Sequence, residues 1–247
     1  MCGRFVLFIP LADIAREFEI EQLSFEFEPD YNIGPSREVP LVVRDTDKRL
    51  ILSRWGFVPV WSDDLAIGNR MTNARAETAA EKPAFRKALA SQRCIVPANG
   101  FYEWRKIGSR KQPVYITRKD GKMMALAGIH NTWVSPTGEK VSTFAILTTQ
   151  PNELVKEIHN RMPVILKKEH YEQWLQTGQL PPEALSDIFK PFPPDKLESF
   201  DVSPRVNSPA NNSPTTSNRL NQKKTAPDLS LPYHSGIPYL VQQHHAL

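Results

Sequence analysis

The chain has 247 residues, 40% hydrophobic and 23% charged, with a formal net charge of +4 and two cysteines, Cys2 and Cys94. Those proportions fit a globular chain with a substantial core and exclude a disulfide framework or a Cys-rich zinc site. The sequence shows no eighteen-residue apolar run and no basic-then-apolar leader, which argues against a membrane span and a secretory signal.

GRFVLF (3–8) predicts a strand. PLADIAREFEI (10–20) predicts a helix, because Leu11, Ile14, Ala15 and Phe18 share one face behind an initial proline. EVPLVVR and RLILSRWGFV read as strands of a hairpin turning at Asp45–Lys48. The stretch PVWSDDLAIGNRMTNARAETAA has no clean period and reads as a long surface loop with short helical pieces. KPAFRKALASQ (82–92) predicts a helix with Phe85, Ala88 and Leu89 inward. RCIVPANGFYEWRK (93–106) reads as two strands broken around Pro97-Ala98-Asn99-Gly100, and GSRKQ turns the chain into PVYITR. MMALAGIH, KVSTFAILTT, MPVIL and ESFDVS add strands, while PNELVKEIHN, KKEHYEQWLQTG and PPEALSDIF add short helices.

From about residue 207 the chain is rich in Ser, Asn, Thr and Pro, and such a segment buries too little to offset its ordering entropy. The expected organisation is one α+β domain over 1–206 with a disordered tail over 207–247. Its strands are mostly antiparallel and form a barrel-like sheet with peripheral helices.

Charge is concentrated locally. Nine Lys and Arg against three Glu lie between Arg70 and Arg110, a net of +6 that suits a phosphate-binding face as well as it suits a solvated one. Four local patterns carry chemistry. After removal of Met1, Cys2 would bear a free α-amine of pKa ~7.7–8.0 beside its thiol. Such an amine condenses with an aldehyde, and the thiol can then close a five-membered thiazolidine ring. NARAET (73–78) places Asn73, which both donates and accepts, next to Arg75, which suits a phosphate. In GFYEWRK (100–106), Glu103 sits among aromatic residues on a strand, where desolvation raises a carboxyl toward neutrality. EIHNRMPVIL puts His159 and Arg161 at a helix end, one able to move protons near neutral pH and the other able to hold an anion. Trp61, exposed before SDD, could stack a base.

In order along the chain, MCGRF, YNIGPS, WGFVPVW, NARAET, CIVPANGFYEW and IHNRMPVIL resemble the SRAP family, named for SOS response-associated peptidase, over residues 2 to about 207. That resemblance implies a domain that recognises abasic sites in single-stranded DNA and crosslinks to them covalently. It makes Cys2 the crosslinking residue, Asn73 its holder, Glu103 the acid–base group and His159 an aid to Schiff-base formation, strand cleavage or reversal. Arg4, Arg75 and Arg161 are implied phosphate contacts, Arg86 in the basic stretch joins them, and Pro35 and Trp61 pack against bases. Ser62 stands where relatives often carry a second aromatic.

The implied partner is single-stranded DNA with abasic sites, met by a cytoplasmic monomer that associates with the nucleoid when bound to DNA. No metal or other cofactor is called for. Two other readings stay open: an N-terminal-nucleophile peptidase or amidohydrolase, with self-processing of Met1 as one form, and a non-covalent single-strand binder.

Overall fold

The computed structural model describes residues 2–220. Expectations about Met1 and about 221–247 lie outside those residues. The first strand, β1 (Phe5–Leu7), leads into helix α1 (Leu11–Phe18). The four apolar positions expected to face inward are the four that are buried. Glu19 ends the helix in the left-handed region (φ 57°), and its N–H reaches back to the last-turn carbonyls.

Then come β2 (Asp30–Ile33) and the hairpin of β3 (Glu38–Arg44) and β4 (Lys48–Trp55), paired from Glu38↔Arg54 to Arg44↔Lys48. The stretch read as a surface loop contains a three-residue strand, β5 (Asn73–Arg75), and a single helical turn, α2 (Ala76–Ala79). Helix α3 (Arg86–Ser91) precedes β6 (Arg93–Ala98) and β7 (Gly100–Ile107). The break between those strands is one residue, Asn99, so Pro97 and Ala98 belong to β6. Strand β8 (Arg110–Arg118) pairs with β7 from Ile107↔Arg110 onward. The turn is therefore Gly108-Ser109 alone, with Gly108 at φ +59°. Long strands β9 (Met124–Val134) and β10 (Lys140–Thr149) follow, then α4 (Glu153–Lys156), β11 (Met162–Pro163), β12 (Ile165–Leu166), α5 (Tyr171–Leu175), α6 (Pro182–Ile188) and β13 (Leu197–Asp201).

Five strands close on themselves. β10 pairs with β4 in parallel, and β4–β3, β3–β6, β6–β9 and β9–β10 pair antiparallel, which makes a barrel without free edges. A second, open sheet runs β13-β8-β7-β1-β2. Asn99 joins the two: its N–H donates to the Val6 carbonyl, and its Oδ1 accepts from the Phe8 N–H at 2.8 Å. A continuous apolar core links barrel, α1 and open sheet.

Residues 207–220, expected to be disordered, return across the open sheet. Leu220 N–H donates to the Asp201 carbonyl, and Val206 and Thr216 are buried. Amide hydrogen bonds do here what apolar burial does elsewhere: Asn212 Oδ1 accepts from Tyr31 N–H, and Asn207 Oδ1 accepts from Trp104 Nε1–H, each at 2.8 Å. Packing therefore continues past the boundary expected at 206.

Candidate active site and nucleic-acid interface

The N-terminal arm, residues 2–4, lies between β5 and β7. Asn73 Nδ2 donates to the Cys2 carbonyl at 2.9 Å, and Tyr102 N–H donates to the Arg4 carbonyl at 2.9 Å. Cys2 is fully buried. Burial pushes its thiol well above the ordinary range, the nearby Glu103 charge pushes it further, and the Arg4 N–H works against both. At neutral pH the sulfur therefore carries its proton.

The NAR segment is a strand because β10 makes it one. Asn73, Ala74 and Arg75 pair in parallel with Ile146, Leu147 and Thr148. Its alternation turns Ala74 into the core and leaves Arg75 exposed, with Asn73 half-buried beside Cys2. Asn73 Nδ2 also donates to Thr72 Oγ1 at 3.0 Å, while Asn73 Oδ1 is buried with no hydrogen-bond donor among the described residues. A buried acceptor left unmet costs about 1–3 kcal/mol.

Glu103, on β7, is 3% exposed, and burial raises its carboxyl to about 7. His159 follows α4, whose start is capped by Asn152 Oδ1 accepting from Val155 N–H. Its Nδ1 lies 3.9 Å from Glu103 Oε1. Burial lowers the His159 pKa, so the ring is neutral near pH 7. The Arg161 backbone holds the ring at Nδ1, with its N–H at 3.1 Å and its carbonyl oxygen at 3.3 Å from that nitrogen. Cys2, Asn73, Glu103 and His159, drawn from four segments, thus form one cluster.

The predicted DNA contacts divide. Trp61 is 60% exposed and, with Arg75, Lys82 and Phe85, lines a hollow of about 490 Å³ that reaches Asn73. The loop carrying Trp61 is stiffly held. Asn131 Nδ2 donates to the Val58 carbonyl at 2.7 Å, Val58 N–H donates to Thr143 Oγ1 at 3.1 Å, and Trp133 Nε1–H donates to the Ser62 carbonyl at 2.6 Å. Beneath it Gly56 and Gly68 touch backbone to backbone: a Cβ on Gly68 would stand 2.4 Å from the Gly56 oxygen. Pro35 is exposed at the turn before β3. Arg86 is exposed on α3 but faces a separate small hollow beside Leu89, Leu180 and Leu185.

Arg4 and Arg161, expected as phosphate contacts, have protein partners in this structure. Both are buried. Arg4 Nη1 donates to Asn32 Oδ1 at 2.6 Å and to the Val206 carbonyl at 3.0 Å. Arg161 donates both Nη groups to Glu77. The basic stretch is also divided, since Arg93 is buried and Arg105 pairs with Asp201 at 2.5 Å. Asn32, Thr72 and Thr148 enter the site's surroundings without being singled out from the sequence. Asn32 lies inside the quoted YNIGPS motif and Thr72 abuts Asn73, whereas no local pattern marks Thr148. Among the described residues, no group of three or more His, Cys, Asp or Glu is placed to hold a metal ion, and no helix is long and apolar enough to cross a membrane.

A closed five-stranded barrel beside an open sheet, with a thiol-bearing arm laid against a buried acid and an imidazole, defines a mixed α+β protein with a thiol-centred site. The family model for SOS response associated peptidase, SRAP, matches residues 1–209, and the chain belongs to that family. The abasic site processing protein YoqW of Bacillus subtilis is 44% identical over 218 residues, covering 87% of this chain and 97% of that one. The abasic site processing protein HMCES of Mus musculus is 30% identical over 226 residues, covering 75% of this chain and 64% of its own length. A crystal structure of a protein from Bacteroides thetaiotaomicron superposes with a TM-score of 0.80 at 30% identity, covering 89% of this chain and all of that one.

Proposed function

We propose that the protein recognises abasic sites in single-stranded DNA and crosslinks to them through Cys2 after Met1 is removed. The observation that carries this reading is the convergence of Asn73, Glu103 and His159 on a buried Cys2 in a chain 44% identical to an abasic site processing protein.

The ring-opened sugar of an abasic site is an aldehyde. The α-amine of Cys2 adds to its carbon, and the carbinolamine loses water with a proton delivered by Glu103, whose carboxyl is protonated over much of the neutral range. The thiol sulfur then adds to the iminium carbon, its proton passes to the Glu103 carboxylate and restores the acid, and a thiazolidine closes. Aldehyde, amine and thiol give one ring and one water. The unmet Asn73 Oδ1 is the acceptor for a sugar hydroxyl. His159, whose ring burial keeps neutral, supports proton transfer on the imine or its reversal. Trp61, Arg75 and Lys82 hold the flanking strand by stacking and phosphate contact.

Incubating processed protein with a single-stranded oligonucleotide bearing one abasic site should yield a heat-stable, slower-migrating adduct. Equal adduct yield from Cys2→Ala would sink the proposal. Intact mass shows beforehand whether Met1 is gone.

A further inference from the structure

We propose that Asn32 and the segment 203–212 are positioning elements for Cys2, acting through the side chain of Arg4. The inference rests on the role proposed for Cys2, and its test uses no DNA.

A chain terminus frays unless it is tied down, and a reacting group on a frayed arm loses most of the advantage of proximity. Two of the arm's ties are to backbone carbonyls, from Asn73 and from Tyr102. The third is the Arg4 side chain, two residues from the sulfur. Its guanidinium is buried, has no direct carboxylate partner among the described residues, and is lowered in pKa by desolvation. It is held by Asn32 Oδ1 and by the Val206 carbonyl, which belongs to the returning segment.

Asn32 is the hub. While its oxygen accepts from Arg4, its Nδ2 points to the carbonyls of Val206 (3.2 Å), Ser208 (2.9 Å) and Asn211 (3.0 Å). One side chain therefore fastens β2, the arm and the returning segment together. Two further anchors, from Asn207 to Trp104 and from Asn212 to Tyr31, hold that segment without touching Arg4. Freeing the segment would leave the buried guanidinium short of an acceptor. The cheapest relief is for Arg4 to turn to water and carry Gly3 and Cys2 with it.

The chain holds its own control, because its two cysteines are both fully buried and only Cys94 lies in the barrel, on β6. In the full-length, Met1-processed protein, the rates at which iodoacetamide alkylates the two thiols are read separately by peptide mass. Asn32→Ala should raise the Cys2 rate about tenfold or more, the change expected from losing a hydrogen bond to a charged group, while Cys94 stays slow. The pH midpoint of Cys2 alkylation should also fall toward that of an ordinary thiol. The double variant Asn207→Ala, Asn212→Ala should move Cys2 the same way by a smaller factor, and it decides the matter where Asn32→Ala does not fold. Parallel acceleration of Cys2 and Cys94 would mean that the segment contributes only global stability, and an unchanged Cys2 rate would mean that the arm is held without it. Either result overturns the proposal.

Discussion

Arg161 donates its two Nη groups to the two carboxylate oxygens of Glu77, at 2.7 and 2.8 Å, and donates again to the Thr148 carbonyl. Glu77 lies on α2, directly after the NAR strand. Arg161 in turn supplies the N–H that fixes the His159 ring. The ion pair therefore ties the Asn73 segment to the His159 turn. Glu77→Ala should lower unfolding stability by about 1–3 kcal/mol, toward the low end because the Glu77 side chain is 42% exposed. Arg161 holds the Glu77 carboxyl below its usual range, so this contribution is complete above that range and fades as pH falls through it. Adduct formation should slow in Glu77→Ala without a gain in DNA affinity. A severalfold gain in affinity with unchanged adduct rate would show instead that Glu77 masks a phosphate ligand.

Glu103 sets the pH dependence. Its carboxyl is raised to about 7 by burial, so the acid form is lost as pH rises through that value. The α-amine of Cys2 becomes free only as pH rises through ~7.7–8.0. Adduct rate should follow a bell with its maximum between those values, and Glu103→Gln should remove the descending limb and most of the rate. Stability carries the same signature. A carboxyl raised in the folded state favours folding below its unfolded value, near 4.5, and that contribution is lost as pH rises through about 7. The thermal midpoint should decline over that window in the wild type and flatten in Glu103→Gln. Parallel declines in the two proteins would assign the effect to another group.

Local periodicity made α1 and the β3–β4 hairpin legible, because Leu11, Ile14, Ala15 and Phe18 repeat at helical spacing and Asp45–Lys48 breaks two apolar runs. The barrel's closure was legible only as a tendency, since β10 meets β4 and β5 in parallel across long separations that no local pattern records. Strand β5 was missed for that reason: three residues are a strand only because β10 lies alongside. The site cluster could be named from its motifs, but Glu103 and His159, which stand 3.9 Å apart, are 56 positions apart in sequence. The burial of Arg4 and Arg161 was not legible, because guanidinium burial is a tertiary fact. The packing of 207–220 was not legible, because Asn207 and Asn212 act as hydrogen-bonding anchors rather than as solvated loop residues.

Arg93 shows what a basic residue counted toward a binding face can do inside. Its Nε–H donates to the Trp174 carbonyl at 2.7 Å, Nη1 donates to the Leu89 and Ala90 carbonyls at 2.8 Å, and Nη2 donates to the Gln176 carbonyl. It closes the C-terminal ends of α3 and α5 at once, where a cation is favoured, and lies 5.6 Å over the Trp174 ring. Arg93→Met should cost about 3 kcal/mol in urea unfolding by leaving these carbonyls unmet. Arg93→Lys should lie between, since an ammonium keeps the charge but has three donors and no planar fork. A near-neutral Arg93→Met would show that the two helix ends find other partners.

The hollow beside Asn73 separates stacking from charge. Trp61 is 60% exposed on a loop held by Asn131, Thr143 and Trp133, so its ring is presented without a large ordering cost. Replacing it by alanine should weaken single-strand binding by about 1–3 kcal/mol while leaving the slope of log affinity against log salt unchanged, because no charge is removed. Arg75→Gln, on the same hollow, should flatten that slope by about 0.7, the value for one released counterion on a single strand. Arg86→Gln, which faces a different hollow, tests how far the basic face extends. A slope change equal to that of Arg75→Gln would carry the strand's path across α3, and an unchanged slope would end it at the Trp61–Arg75 hollow. Fluorescence anisotropy of a labelled oligonucleotide across a salt series measures all three variants, and a slope that falls for Trp61→Ala would contradict the assignment of its ring to stacking.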